Sequence, residues 1–156
     1  MEIRRLTVED TDAFWQLRGR GLQEYPASFG EDHADFMAAD DEQRRKRMAW
    51  STGGDNSILG AFDPELCGTV CLYRDDNPKK AHKAEVWGVY VAPATQNRGI
   101  ARALLTELIV QAKQIAGLEH LVLGVDINNA PAIRVYEAVG FQTFATDPRT
   151  MKVGDQ

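Results

Sequence analysis

Positive charge is in short supply: 18 lysines and arginines stand against 23 aspartates and glutamates, a net charge of −5 over 156 residues. That balance argues against a nucleic-acid binder, which is usually basic overall, though a local basic pocket remains compatible with it. Long apolar runs are also missing. No stretch reaches the roughly twenty apolar residues a membrane span needs, and Met1-Glu2-Ile3-Arg4-Arg5 lacks the apolar core of a signal peptide. The expected location is the cytoplasm, with no membrane partner. The two cysteines, Cys67 and Cys71, lie four apart in a strand-like run. At strand spacing they would share one face, too far apart for an easy disulfide. With no histidine or second cysteine pair at zinc spacing beside them, no metal site is expected, and they read as small buried hydrophobes. Internal repeats, low-complexity segments and linkers are absent, so residues 1–156 are expected to form a single domain.

What the chain does contain centres on Glu85 to Ala116. Glu85-Val86-Trp87-Gly88-Val89-Tyr90-Val91 is rich in β-branched and aromatic residues and reads as a strand. Ala92-Pro93-Ala94-Thr95 breaks it. Apolar residues at Ile100, Leu104, Leu105, Leu108, Ile109 and Ala112 then recur at helical spacing, which predicts a helix starting near Arg98. A turn of small residues at a helix N-terminus can hold an anion, because the first N–H groups have no internal partner and the macrodipole makes that end positive. Gly99 and Ala101 keep the backbone approachable, and Arg98 adds a guanidinium at the rim. An ordinary strand-to-helix turn would look the same from this stretch alone.

The other elements follow in order. Glu2 to Leu6 reads as a strand, and Thr7 with Asp10 as a capping pair. The helix behind them carries Ala13, Phe14, Leu17 and Leu22 on one side, with Gly19 and Gly21 predicting a bend or an early end. Tyr25 to Gly30 reads as a loop. A second helix is expected from near Asp40 to Trp50. Its Arg44-Arg45-Lys46-Arg47 run follows Asp40, Asp41 and Glu42, the order that suits a solvated face along the helix dipole. Ser57 to Phe62 and Gly68 to Tyr73 form a hairpin around Asp63-Pro64-Glu65. After Gly117 come a strand at Leu121–Val125, a short helix at Ala130–Val139 ended by Gly140, and a last strand at Phe141–Ala145. The expected fold class is α/β: a mixed sheet flanked by helices, antiparallel in its first half and parallel where the long helix crosses over.

Asn129, Ala132, Tyr136, Gly140 and Phe141 surround that second short helix. Asn129 can cap it or reach into a cleft, and Tyr136 lies near the C-terminal end of the adjacent strand, where open α/β sheets gather ligands. A helix cap and a packed tyrosine would give the same pattern.

Together the two stretches resemble the GNAT N-acetyltransferase superfamily. Gln96-Asn97-Arg98-Gly99-Ile100-Ala101 matches its acetyl-CoA motif of Gln or Arg, two free residues, Gly, one free residue, then Gly or Ala. Asn129 to Phe141 matches its Asn…Ala…Tyr…Gly-Phe motif, and the element order agrees over nearly the whole chain. The resemblance implies an N-acetyltransferase that moves acetyl from acetyl-CoA to a primary amine, on a small molecule or a peptide, by direct transfer in a ternary complex. It implies that backbone groups of Val89 and Val91 pair with the pantetheine arm beside a bulge, that amides of Gln96, Asn97, Arg98, Gly99, Ile100 and Ala101 cradle the pyrophosphate, and that Asn129 bonds the pantetheine. Tyr136 would protonate the departing thiolate. Glu85, eleven positions before Gln96, would serve through water as general base, or stand as a strand-end glutamate beside Lys83 or His82. Tyr25, Phe29 and Trp87, with Glu24, would shape the acceptor pocket. A non-catalytic acyl-CoA-binding protein on the same fold is the alternative. A nucleotide phosphate loop fits poorly, since no Gly-Lys-Ser/Thr ending is present. The family places one more strand beyond the one near Phe141. Lys152 to Gln156 offers no apolar run for it, so that final strand is expected to be missing, with a partner chain, as in a homodimer, one way to fill the gap.

Overall fold

Five strands occur in chain order across one sheet in the computed structural model, which describes residues 1–153. They are β1 (Glu2–Arg5), β2 (Ser57–Phe62), β3 (Leu66–Arg74), β4 (Lys83–Val91) and β5 (His120–Val122). The first four pair antiparallel; the short turn Asp63-Pro64-Glu65 joins β2 to β3, while the helical segment between Arg5 and Ser57 separates β1 from β2. The β4–β5 pair is parallel, because helix α4 (Ile100–Ala112) carries the chain back across the sheet.

Alternation along the strands divides the interior in two. Leu59, Ala61, Val70, Leu72, Ala84 and Val86 face α4, where Ile100, Leu104, Leu105 and Leu108 meet them. Ile58 and Cys71 face the other way, into a cluster with Phe14, Trp15 and Leu22 of α1 (Thr11–Glu24), Phe36 of α2 (His33–Met37) and Met48 of α3 (Asp41–Ser51). Burying each such leucine is worth roughly 1.5–3 kcal/mol. Trp15 anchors the second cluster, stacking on Phe36 at 4.4 Å while its indole N–H donates to the Phe36 carbonyl at 3.0 Å.

Several local expectations hold. Thr7 and Asp10 form a reciprocal capping box, over a short 3-10 turn that leads into α1. Asp40 and Gln43 do the same for α3.

Others are corrected. Helix α1 does not end at its glycines but runs on to Glu24. A Cβ at Gly19 would lie 2.8 Å from the Met37 sulfur and one at Gly21 3.1 Å from the Tyr90 ring, so both glycines admit close neighbours. Ala13 is exposed, not on the buried side. The short helix α2, capped by Asp32, interrupts the stretch before Asp40. The cysteines are free and buried but do not share a face: an irregularity opposite Ala61 and Phe62 shifts the β3 register, leaving Cys67 in the α4 cluster and Cys71 in the α1 cluster. The strand expected at Leu121–Val125 is reduced to β5. No strand forms at Phe141–Ala145: the Phe141 N–H donates to the Tyr136 carbonyl at 3.0 Å, with Gly140 at φ +110°, so this segment closes helix α5 (Ala130–Ala138) instead of extending. The expectation about a missing final strand falls partly on Gly154, Asp155 and Gln156, outside the described residues. Among the described residues, no helix is long and apolar enough to cross a membrane and no cluster of three or more His, Cys, Asp or Glu could hold a metal.

Candidate active site

The site begins with a defect in β4. Tyr90 lies opposite Thr69 and Trp87 opposite Cys71, so two residues, Gly88 and Val89, face the single Val70. Gly88 takes φ +60°, the left-handed conformation a bulge of this kind requires. Its carbonyl accepts the Thr69 hydroxyl at 3.0 Å, which holds the bulge in place. β5 pairs only with Lys83, Ala84 and Glu85. From Val86 to Val91 the β4 edge therefore faces no strand among the described residues. The Ala92 N–H donates to the Cys67 carbonyl on the β3 side at 2.8 Å. By strand alternation Val91, and before it Val89, turn their backbone groups to the open side. There the Val91 carbonyl accepts the Gln96 side-chain amide at 3.1 Å.

The open edge runs into the α4 N-terminus. Asn97 (φ +61°) and Gly99 (φ +76°) both adopt left-handed backbone, so the helix starts at Ile100, two residues later than the periodicity suggests. No side chain caps it, its first turn holds no acidic residue, and a Cβ on Gly99 would meet nothing within 4 Å. The first backbone bond of the turn runs from the Ala103 N–H to the Gly99 carbonyl at 3.0 Å, which leaves the preceding amides directed outward. Arg98 is not free at this rim, being paired with Asp63 of the β2–β3 turn.

Helix α5 (Ala130–Ala138) packs beside α4. The Asn129 carbonyl oxygen caps it, accepting the Ala132 N–H at 3.2 Å, so the cap alternative is realised while the amide nitrogen stays available. Tyr136 is half-buried against the α4 cluster, with its ring edge-on to Phe141 at 6.2 Å. Burial pushes its phenol up to about 12.

Across β4 lie the aromatic residues. Tyr90 has Tyr25 and Phe29 at 6.2 and 6.3 Å, and its hydroxyl donates to the Glu24 carboxylate at 2.8 Å. Burial and then that carboxylate push the Tyr90 phenol well above its ordinary value. Trp87 lies under the Arg18 guanidinium at 4.9 Å, and Phe29 is 5.5 Å from the same group. Tyr25, Phe29 and Trp87 are thus brought together around two residues that periodicity does not single out, Tyr90 and Arg18. Glu85 stands apart, exposed in a shallow depression with Tyr73, Lys80, Lys83 and Val122, and in no ion pair among the described residues. The alternative of a pairing with Lys83 or His82 is not realised among the described residues.

A bulged strand splayed from its parallel neighbour, opening onto an uncapped helix N-terminus, defines a site for an extended ligand with an anionic end. Comparison with known proteins says which family builds it. Residues 18–141 match the acetyltransferase (GNAT) family model, and the chain belongs to that family. An L-amino acid N-acetyltransferase of Escherichia coli is 29% identical over 106 residues, covering 68% of this chain and 64% of that protein. A mycothiol acetyltransferase of Acidothermus cellulolyticus is 30% identical, covering 88% of this chain and 43% of that protein. The chain therefore spans less than two thirds of each of these relatives. Among solved structures, a GNAT-family acetyltransferase from Streptococcus pneumoniae superposes with TM-score 0.89 at 20% identity, over 99% of this chain and 92% of that one. The protein yncA of Salmonella typhimurium, solved with its cofactor acetyl-CoA, gives TM-score 0.79 at 24% identity, over 93% and 81%.

Proposed function

We propose that this chain, as one domain over residues 1–156, transfers acetyl from acetyl-CoA to a primary amine by direct transfer in a ternary complex. The observation that carries the reading is the β4 edge that faces no strand among the described residues and ends at a helix N-terminus no side chain caps. Acetyl-CoA supplies the activated thioester. The residues present suit it: the outward backbone groups of Val89 and Val91 match an amide-bearing pantetheine arm, and the Asn129 amide nitrogen can donate to it. The amides from Gln96 to Ala101 match a pyrophosphate. Gly99 leaves that face open, with nothing within 4 Å of where a Cβ would stand.

The chemistry divides among residues of this chain. The attacking amine must be neutral, and Glu85, exposed and unpaired, takes its proton through water. The Val91 N–H, directed to the open side, stabilises charge that develops on the carbonyl oxygen. The Tyr136 phenol stays protonated throughout the neutral range and delivers its proton to the leaving thiolate. Tyr25, Phe29 and Trp87 wall the acceptor side. A cytoplasmic location and a homodimer remain part of this reading on family resemblance and composition alone.

The test is release of free thiol from acetyl-CoA across a panel of amino acids, polyamines, aminoglycosides and peptide N-termini. Release that depends on one amine class supports the enzyme. Acetyl-CoA binding without release from any amine would replace it with an acyl-CoA-binding module.

A further inference from the structure

Arg18 sits in the middle of α1 yet is only 8% exposed. A guanidinium buried this deeply needs a reason, because desolvation opposes its charge and lowers its pKa. Its partners do not fully provide one. The Nη2 and Nε atoms donate to a single Glu31 oxygen at 3.2 and 3.4 Å, long for charge-assisted bonds. Arg47 engages both oxygens of the same carboxylate. One carboxylate thus serves two guanidiniums, and the group keeps one uncompensated positive charge. Burial opposes ionisation of Glu31, but the hydrogen bonds and charges of Arg47 and Arg18 outweigh it and hold the carboxyl below its ordinary range. The nearby Cys71 thiol adds no anion, since burial pushes it up to about 12.

The remaining nitrogen is the informative one. Arg18 Nη1 has no hydrogen-bond partner among the described residues. Every fully buried side-chain nitrogen or oxygen among those residues does have one, so solvent still reaches Nη1. It lies 3.2 Å from where a Cβ on Gly88 would stand, directly over the β4 bulge. Trp87 and Phe29 hold the guanidinium plane in position.

We propose that Arg18 binds the carboxylate of the acceptor at the β4 bulge, so that the amine substrate belongs to the amino-acid class. The assignment rests on the acetyltransferase reading above and specifies its acceptor. A planar, singly charged anion matches both the free N–H groups of Nη1 and the one uncompensated charge. Gly88, lacking a side chain, lets Nη1 settle this close to the bulge, since a Cβ there would stand 3.2 Å from Nη1 and 2.9 Å from Cys71 Sγ. On the other wall Glu24 is already held by the Tyr90 hydroxyl, so the two carboxylates do not compete for one site.

The experiment is steady-state acetylation by the full chain of three matched sets: methionine, leucine and phenylalanine, each with its methyl ester and its decarboxylated amine. The free acid of the preferred set should exceed both congeners at least tenfold in kcat/KM. Arg18→Lys and Arg18→Gln should raise KM for the acid at least tenfold, with kcat little changed, and leave the decarboxylated amine within about threefold. Equal use of acid, ester and amine by the unsubstituted protein overturns the assignment while leaving the enzyme intact, and needs no variant to fold. Parallel loss on all three substrates in the Arg18 variants also overturns it and makes Arg18 a structural residue. No thiol release with any amine, from protein that melts cooperatively, removes the acetyltransferase reading and the inference with it.

Discussion

Tyr136, proposed above as the general acid, shows how surroundings hold a proton on one side chain. Its phenol packs edge-on to Phe141 and against the α4 cluster, and burial alone raises its pKa to about 12. It therefore carries its proton throughout the neutral range. Tyr136→Phe should lower turnover roughly a hundredfold or more, in the range for loss of a general acid, with acetyl-CoA affinity unchanged within about twofold. An unaltered rate would remove Tyr136 from the chemistry. The same shift has a stability signature. An unfolded tyrosine loses its proton near pH 10, so the stability set by this group is full below about pH 10 and declines as pH rises toward 12. Melting curves of Tyr136→Phe should lack that part of the alkaline decline.

At the scale of the element, β4 governs the site through its bulge. Gly88 is confined by its φ of +60° and by Cys71 Sγ, 2.9 Å from where a Cβ would stand. Gly88→Ala should cost about 1–3 kcal/mol of stability and lower the melting midpoint by roughly 2–12 °C, readable by differential scanning calorimetry. An unchanged midpoint would mean that the bulge relaxes freely. The strand itself was legible from Val86 to Val91, whose β-branched and aromatic residues allow little else. The bulge within it was expected only through the family resemblance, because by itself a glycine in a strand marks a bulge, a close approach or nothing at all. α4 and its glycine turn were legible for the opposite reason: helical periodicity is long there and Gly99 marks its start. α1 misled, since Gly19 and Gly21 argue for a break by propensity, while their packing against Met37 and Tyr90 overrides it. β5 came out shorter than its apolar run because strand length depends on a neighbour, and β4 turns away beyond Glu85.

Across the whole molecule, the order of elements identified the mixed sheet and its crossover, and the two motifs located the donor side. These signals are local in sequence. The acceptor side is not: Arg18 of α1, Glu31 before α2, Arg47 of α3, and Trp87 and Tyr90 of β4 come from four separate parts of the chain, and only the folded chain brings them together. No spacing rule could have assembled them. Everything proposed for the chemistry depends on the donor side, where acetyl-CoA would lie along the open β4 edge with its pyrophosphate at the α4 N-terminus. The decisive experiment is calorimetric titration of acetyl-CoA into the protein and into Gly99→Val, with circular dichroism confirming that both are folded. Binding in the micromolar range or tighter is predicted, weakened at least tenfold by a valine at the left-handed position 99 (φ +76°), which would disturb the turn that presents the amides. No binding by the folded protein, or equal binding by the variant, would contradict it.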